Sequence, residues 1–106
     1  MKLMTKELEK RFAEIGRQES KGEDALVVAK YFDPCSCWTW YATEYQPEER
    51  LFFGYVCGLE EEWGYFSLDE LETVRGRFGL GLERDIYFGE KPLCKALEER
   101  RINGGD

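Results

Sequence analysis

Trp38-Thr39-Trp40-Tyr41-Ala42-Thr43-Glu44-Tyr45-Gln46-Pro47-Glu48-Glu49-Arg50-Leu51-Phe52-Phe53-Gly54-Tyr55-Val56-Cys57 decides the fold. Its two flanks are aromatic and β-branched, the composition of strands that half-bury a pleated surface. Gln46-Pro47-Glu48-Glu49 lies between them and has the residue types of a turn. The pattern predicts a hairpin with strands over 37–45 and 51–59. Side chains alternate across a strand. Trp38 and Trp40 therefore share one face, and Tyr41 and Tyr45 the other, with Phe53 and Tyr55 opposite them.

Further strands flank this hairpin. Ala25-Leu26-Val27-Val28-Ala29-Lys30-Tyr31-Phe32 reads as a buried strand, broken by Asp33-Pro34. After the second hairpin strand, Glu60-Glu61-Glu62 reads as an acidic turn into a fourth strand, Trp63-Gly64-Tyr65-Phe66. Strands joined by short turns make an antiparallel meander. Residues 83–88 read either as a short strand or as extended chain.

Three helices complete the pattern. Thr5 is placed to cap the first, whose stripe is Leu8, Phe12 and Ile15, with Gly16 as its stop. Residues 17–24 are polar and read as a loop. Ser67-Leu68-Asp69-Glu70 has the form of a capping box, with Gly76 as the stop of that helix. Pro92 suits the first turn of a last helix carrying Leu93, Ala96 and Leu97. Asn103-Gly104-Gly105-Asp106 is expected to fray. The sum is one α+β domain over 1–106. A central antiparallel sheet of about four strands carries N-terminal, middle and C-terminal helices on one face.

The net charge of −7, from 22 acidic and 15 basic residues, disfavours direct binding to nucleic-acid phosphates or anionic lipid. It suits solubility first and, as the alternative reading, a basic protein surface as partner. No apolar run approaches the length of a membrane span, and the start turns charged at once, unlike a signal peptide. The expectation is a cytoplasmic protein whose four cysteines are not a disulfide framework.

The motifs Trp38-Thr39-Trp40-Tyr41-Ala42-Thr43-Glu44-Tyr45, Pro47-Glu48-Glu49-Arg50-Leu51-Phe52-Phe53-Gly54, Gly64-Tyr65-Phe66-Ser67-Leu68-Asp69-Glu70-Leu71 and Glu83-Arg84-Asp85 carry a resemblance. Together they resemble a small bacterial family of unknown function carried on plasmids, phages and integrative conjugative elements, near anti-restriction and transfer genes. The resemblance covers residues 3 to about 97. It implies an accessory protein of mobile DNA. In that setting the expected activity is inhibition of a host nucleic-acid-targeting defence, of CRISPR or restriction type. A non-inhibitory accessory of plasmid transfer or replication is the alternative.

The residues offer little for catalysis. There is no histidine, which removes the commonest general base and the usual nucleophile pairs. Gly76-Arg77-Phe78-Gly79-Leu80-Gly81 lacks the Lys-Ser/Thr of a phosphate loop. A binding protein, not an enzyme, is expected.

Cys35, Cys37, Cys57 and Cys94 make the set of four that a tetrahedral structural zinc requires. A single Cys-x-Cys is not the usual pair of knuckles. The hairpin register would nevertheless put Cys57 diagonally across from Cys37, and Cys94 in the first turn of the last helix. The other reading makes Cys57 and Cys94 small core residues, and Cys35 and Cys37 a loop pair.

Two surfaces remain. Trp38, Trp40 and Tyr41 lie on the aromatic strand, where one face is core and the other a half-exposed patch suited to a protein partner. Glu60, Glu61, Glu62, Asp69 and Glu70 form an acidic cluster, with Glu44, Glu48 and Glu49 near the other end of the hairpin. Such a cluster is either a solvated face or a mimic of phosphate charge that occludes an arginine-rich groove.

Overall fold

The structure, a computed structural model, describes residues 2–103. Its elements are α1 (Lys6–Ile15), β1 (Leu26–Val27), β2 (Ala29–Phe32), β3 (Thr39–Gln46), β4 (Leu51–Cys57), β5 (Glu61–Ser67), α2 (Leu68–Thr73), β6 (Glu83–Arg84), β7 (Lys91–Pro92) and α3 (Leu93–Ile102). Strands β2 to β5 form the expected antiparallel meander. The ambiguous segment 83–88 contributes β6, a fifth strand beside β2, giving the order β5-β4-β3-β2-β6.

The expected strand over 25–32 is divided at Val28. Its first part, β1, pairs with β7, and its second part, β2, joins the main sheet. The turn also comes two residues earlier than expected. Gly58, Leu59 and Glu60 make the turn, while Glu61 and Glu62 already pair with Cys57 and Val56.

One irregularity sets which side chains go where. Ala42 faces Gly54, but Glu44 faces Phe53, so Thr43 is an extra residue in β3. Thr43 Oγ1 donates to the Phe53 carbonyl at 3.1 Å. The Thr43 carbonyl accepts from Gln18 Nε2 at 2.8 Å. The bulge reverses the alternation beyond it. Tyr45 therefore does not share a face with Tyr41, as simple alternation predicts. Tyr45 packs with Phe12 and Phe52, and Tyr41 with Val27, Cys57 and Leu97.

The helices likewise use both faces, not one. Phe12 of α1 and Leu68 and Leu71 of α2 share a core with Tyr31, Tyr45, Phe52 and Phe66. Leu93, Ala96 and Leu97 of α3 cover the opposite face. The β1–β7 pair is the cause: Leu26 faces Pro92, and the Leu93 N–H donates to the Ala25 carbonyl at 2.9 Å. That pairing delivers the start of α3 to the side where Val27 is buried.

Local signals set the helix ends. Thr5 Oγ1 accepts the Leu8 N–H at 3.1 Å, and Gly16 ends α1 at φ 74°. Ser67 Oγ accepts the Glu70 N–H at 3.0 Å, as its cap role requires. Helix α2 stops at Thr73, where Val74 turns extended, and not at Gly76. Among the described residues, no helix is long and apolar enough to cross a membrane. Of the segment expected to fray, residues 104–106 lie outside the described residues.

Candidate functional site

Strand β5 forms one edge of the sheet, and among the described residues no strand pairs with its outer side. Two bonds bracket its pairing with β4: Gly58 N–H to Glu60 carbonyl at 3.0 Å, and Leu68 N–H to Arg50 carbonyl at 2.9 Å. Antiparallel bonding alternates every second residue. Glu62, Gly64 and Phe66 therefore spend their backbone groups on β4. The backbone groups of Glu61, Trp63 and Tyr65 point outward, and no described residue bonds to them.

The side chains along this edge are acidic and aromatic. Glu60, Glu61 and Glu62 are exposed and form no ion pair among the described residues. Tyr65 is 59% exposed and packs on Phe53, with ring centroids 5.0 Å apart. Trp63, on the same face, stacks on Phe53 at 5.6 Å and nearly parallel to it. Leu59, at the tip of the turn, is almost fully exposed.

Trp38 joins this group from β3's entry. A β-carbon built on Gly58 would fall inside the Trp38 ring, so the indole lies flat against the β4–β5 turn. Trp40 stacks on Trp38 at 5.7 Å and is half-buried. Tyr41 corrects the sequence expectation. It is only 1% exposed, beneath α3, and offers no surface to a partner. Asp69 and Glu70 are exposed, but they open α2 at the far end of β5, roughly 20 Å from Glu61 at about 3.3 Å per residue. Asp69 is also tied to Arg50 at 2.7 Å. The acidic cluster is thus two separate groups.

Residues 3–105 match the model of a family described as a protein of unknown function, DUF2958. The chain belongs to this family. No curated protein and no solved structure matches it.

The thiols of this DUF2958 chain occupy different surroundings. Cys57 is fully buried among Tyr41, Leu93 and Leu97, and burial pushes its thiol up to about 11. Cys37 is exposed, and its carbonyl accepts from Arg100 Nη2 at 3.0 Å. Cys35 and Cys94 are half-buried. Thr39 faces Cys57, as the expected register requires, but β3 begins at Thr39 and Cys37 precedes the ladder. Among the described residues, no three Cys, Asp or Glu side chains come together as a metal group would need.

Glu44 also departs from expectation. It is buried and serves the fold, accepting the backbone N–H groups of Gln18 and Glu19 at 2.7 and 2.9 Å. The clefts of the DUF2958 fold are open. One, about 530 Å³, is lined by Leu3, Leu71, Leu82, Glu72, Arg75 and Glu83. Another, about 330 Å³, gathers Lys30, Lys91 and Arg100 around Tyr41, but Lys30 and Lys91 are held by Asp85 and Glu99. Sequence reasoning missed Tyr65 and Leu59. Alternation marks Tyr65 as belonging with Trp63, but only strand order reveals that both stand on an edge.

Proposed function

We propose that this DUF2958 member is a binding protein of a mobile genetic element. It inhibits a host nucleic-acid-targeting defence complex of CRISPR or restriction type by laying an acidic and aromatic surface over a basic site. The observation that carries this reading is the seating of Trp38 against Gly58. It sets a large ring at the β4–β5 turn, which Glu60 closes and Glu61 and Glu62 follow; none of the three has an ion-pair partner among the described residues. Aromatic anchors beside free charge suit recognition of a cationic protein groove. The chain's lack of histidine and the openness of its clefts favour binding over catalysis.

The test is capture of partners from a defence-proficient host by the tagged protein, with defence activity assayed in parallel. The expected result is a nuclease complex that is held by the native protein and released by a Glu60→Lys, Glu61→Lys, Glu62→Lys triple variant. Unchanged capture by the triple variant removes the charge mechanism. Capture of transfer or replication machinery, with defence unaffected, assigns the non-inhibitory role instead.

A further inference from the structure

We infer that the outer edge of β5 receives an extended, lysine- or arginine-bearing strand of the partner protein, which adds to the sheet as a sixth strand. This inference rests on the protein-binding reading above and specifies its geometry.

The argument begins with the unequal edges. At one side of the sheet β6 spans only two residues, Glu83–Arg84. At the other, β5 spans seven, Glu61–Ser67. A long open edge is a template for another strand, and folded proteins ordinarily shorten it, cover it or charge it. Here the edge is not short, and no strand among the described residues covers it. The N–H and carbonyl groups of Glu61, Trp63 and Tyr65 are presented at the spacing an added strand needs.

The side chains select the occupant. Glu61 and Glu62 project to opposite faces at one end of the edge, with Glu60 just before them. All three are exposed and make no ion pair among the described residues, although Glu61 Oε1 accepts from the Tyr55 hydroxyl at 3.5 Å, so an incoming strand with cations near that end meets complementary charge. At the middle stands Gly64, where an added β-carbon would meet nothing within 4 Å. That open space, on the face opposite Tyr65 and Trp63, accommodates a larger side chain from the incoming strand. A second copy of this chain is the poorer occupant. Each copy carries a net charge of −7, and antiparallel self-pairing about Gly64 would set Glu60 and Glu61 of one copy opposite Leu68 and Ser67 of the other, next to its Asp69 and Glu70.

The experiment is amide hydrogen exchange by NMR on the full chain, with and without a synthetic octapeptide of alternating lysine and valine. Strand addition is expected to slow exchange at Glu61, Trp63 and Tyr65 by about tenfold or more, with Glu62 and Gly64 little changed. The same peptide N-methylated at alternate residues should give no protection, because it keeps the charge and loses the ladder. A Tyr65→Pro variant, which removes one outward N–H but none used by β4, should abolish protection, whereas Tyr65→Ala should retain it. The inference is overturned by either of two peptide results: shifts at Glu60, Glu61 and Glu62 without alternate protection, or no binding. Protection in the free protein accompanied by sedimentation as a dimer also overturns it and makes a second copy the occupant. Host-complex capture that survives Tyr65→Pro would sink the edge geometry while leaving the proposed function intact. Peptide addition without host capture would do the reverse.

Discussion

Glu44 Oε2 accepts the backbone N–H of Gln18 at 2.7 Å, which ties the loop after α1 to the bulged strand β3. The same oxygen takes the Glu19 N–H at 2.9 Å. Gln18 in turn donates to the Leu26 and Thr43 carbonyls and accepts the Leu26 N–H, at 2.7–2.8 Å. Thus the residue that the bulge leaves without a ladder partner is satisfied by a side chain some 25 positions earlier. Glu44→Ala strands two N–H donors and is expected to cost about 2–3 kcal/mol in urea unfolding. Glu44→Gln keeps an acceptor and should cost less. Because the two residues share one network, the Gln18→Ala, Glu44→Ala double variant should lose less than the sum of the single losses.

Two glycines that face each other across β4 and β5 should respond differently to the same change. A β-carbon on Gly54 would collide with the Tyr41 carbonyl oxygen, which is backbone and cannot swing aside. Gly54→Ala is therefore expected to lose about 3 kcal/mol or more, or to fail to fold. Gly64→Ala meets open space and should stay within about 1 kcal/mol of the native protein. Thermal melts followed by circular dichroism compare them directly. Equal losses would mean that β3 and β4 can separate at no cost.

Cys57 gives a stability contribution with a defined pH window. Burial raises its thiol from an ordinary 9.0 to about 11, so the folded state holds the proton more tightly than the unfolded chain. The contribution is complete below pH 9. It declines as pH rises from 9 to 11, where the unfolded thiol ionises first. Burial raises the Tyr41 and Tyr31 phenols as well, so they add to the fall above pH 10. Urea midpoints at pH 8, 9 and 10 should decrease. The decrease between pH 8 and 9.5 should be shallower in Cys57→Ser, which does not titrate there. An unchanged slope would exclude Cys57 as the source.

The separation of the thiols makes a further expectation. Native protein treated with a thiol reagent at pH 8 should react at exposed Cys37 and spare Cys57, which becomes reactive only on unfolding. A chelator should leave the melting temperature unchanged. Stoichiometric zinc in purified protein, lost together with the fold on chelation, would instead require the four cysteines to converge in an arrangement different from this one.

Much of this architecture was readable from residue order. The aromatic hairpin, its turn at Pro47, the Thr5 and Ser67 caps and the Gly16 stop all rest on contacts within a few residues, which local composition encodes directly. Even the Thr39 to Cys57 half of the hairpin follows the register that counting from the turn suggests. The tertiary structure alone decided the rest. The bulge at Thr43 depends on the distant Gln18 amide, and the division at Val28 on β7, more than sixty residues later. The burial of Tyr41 depends on α3 crossing to the far face, and the exposure of Tyr65 on β5 lying outermost. Periodicity assigns a side chain to a face, but it carries no information on what distant segment covers that face. That is decided by which pairing buries the most apolar surface while leaving no polar group stranded.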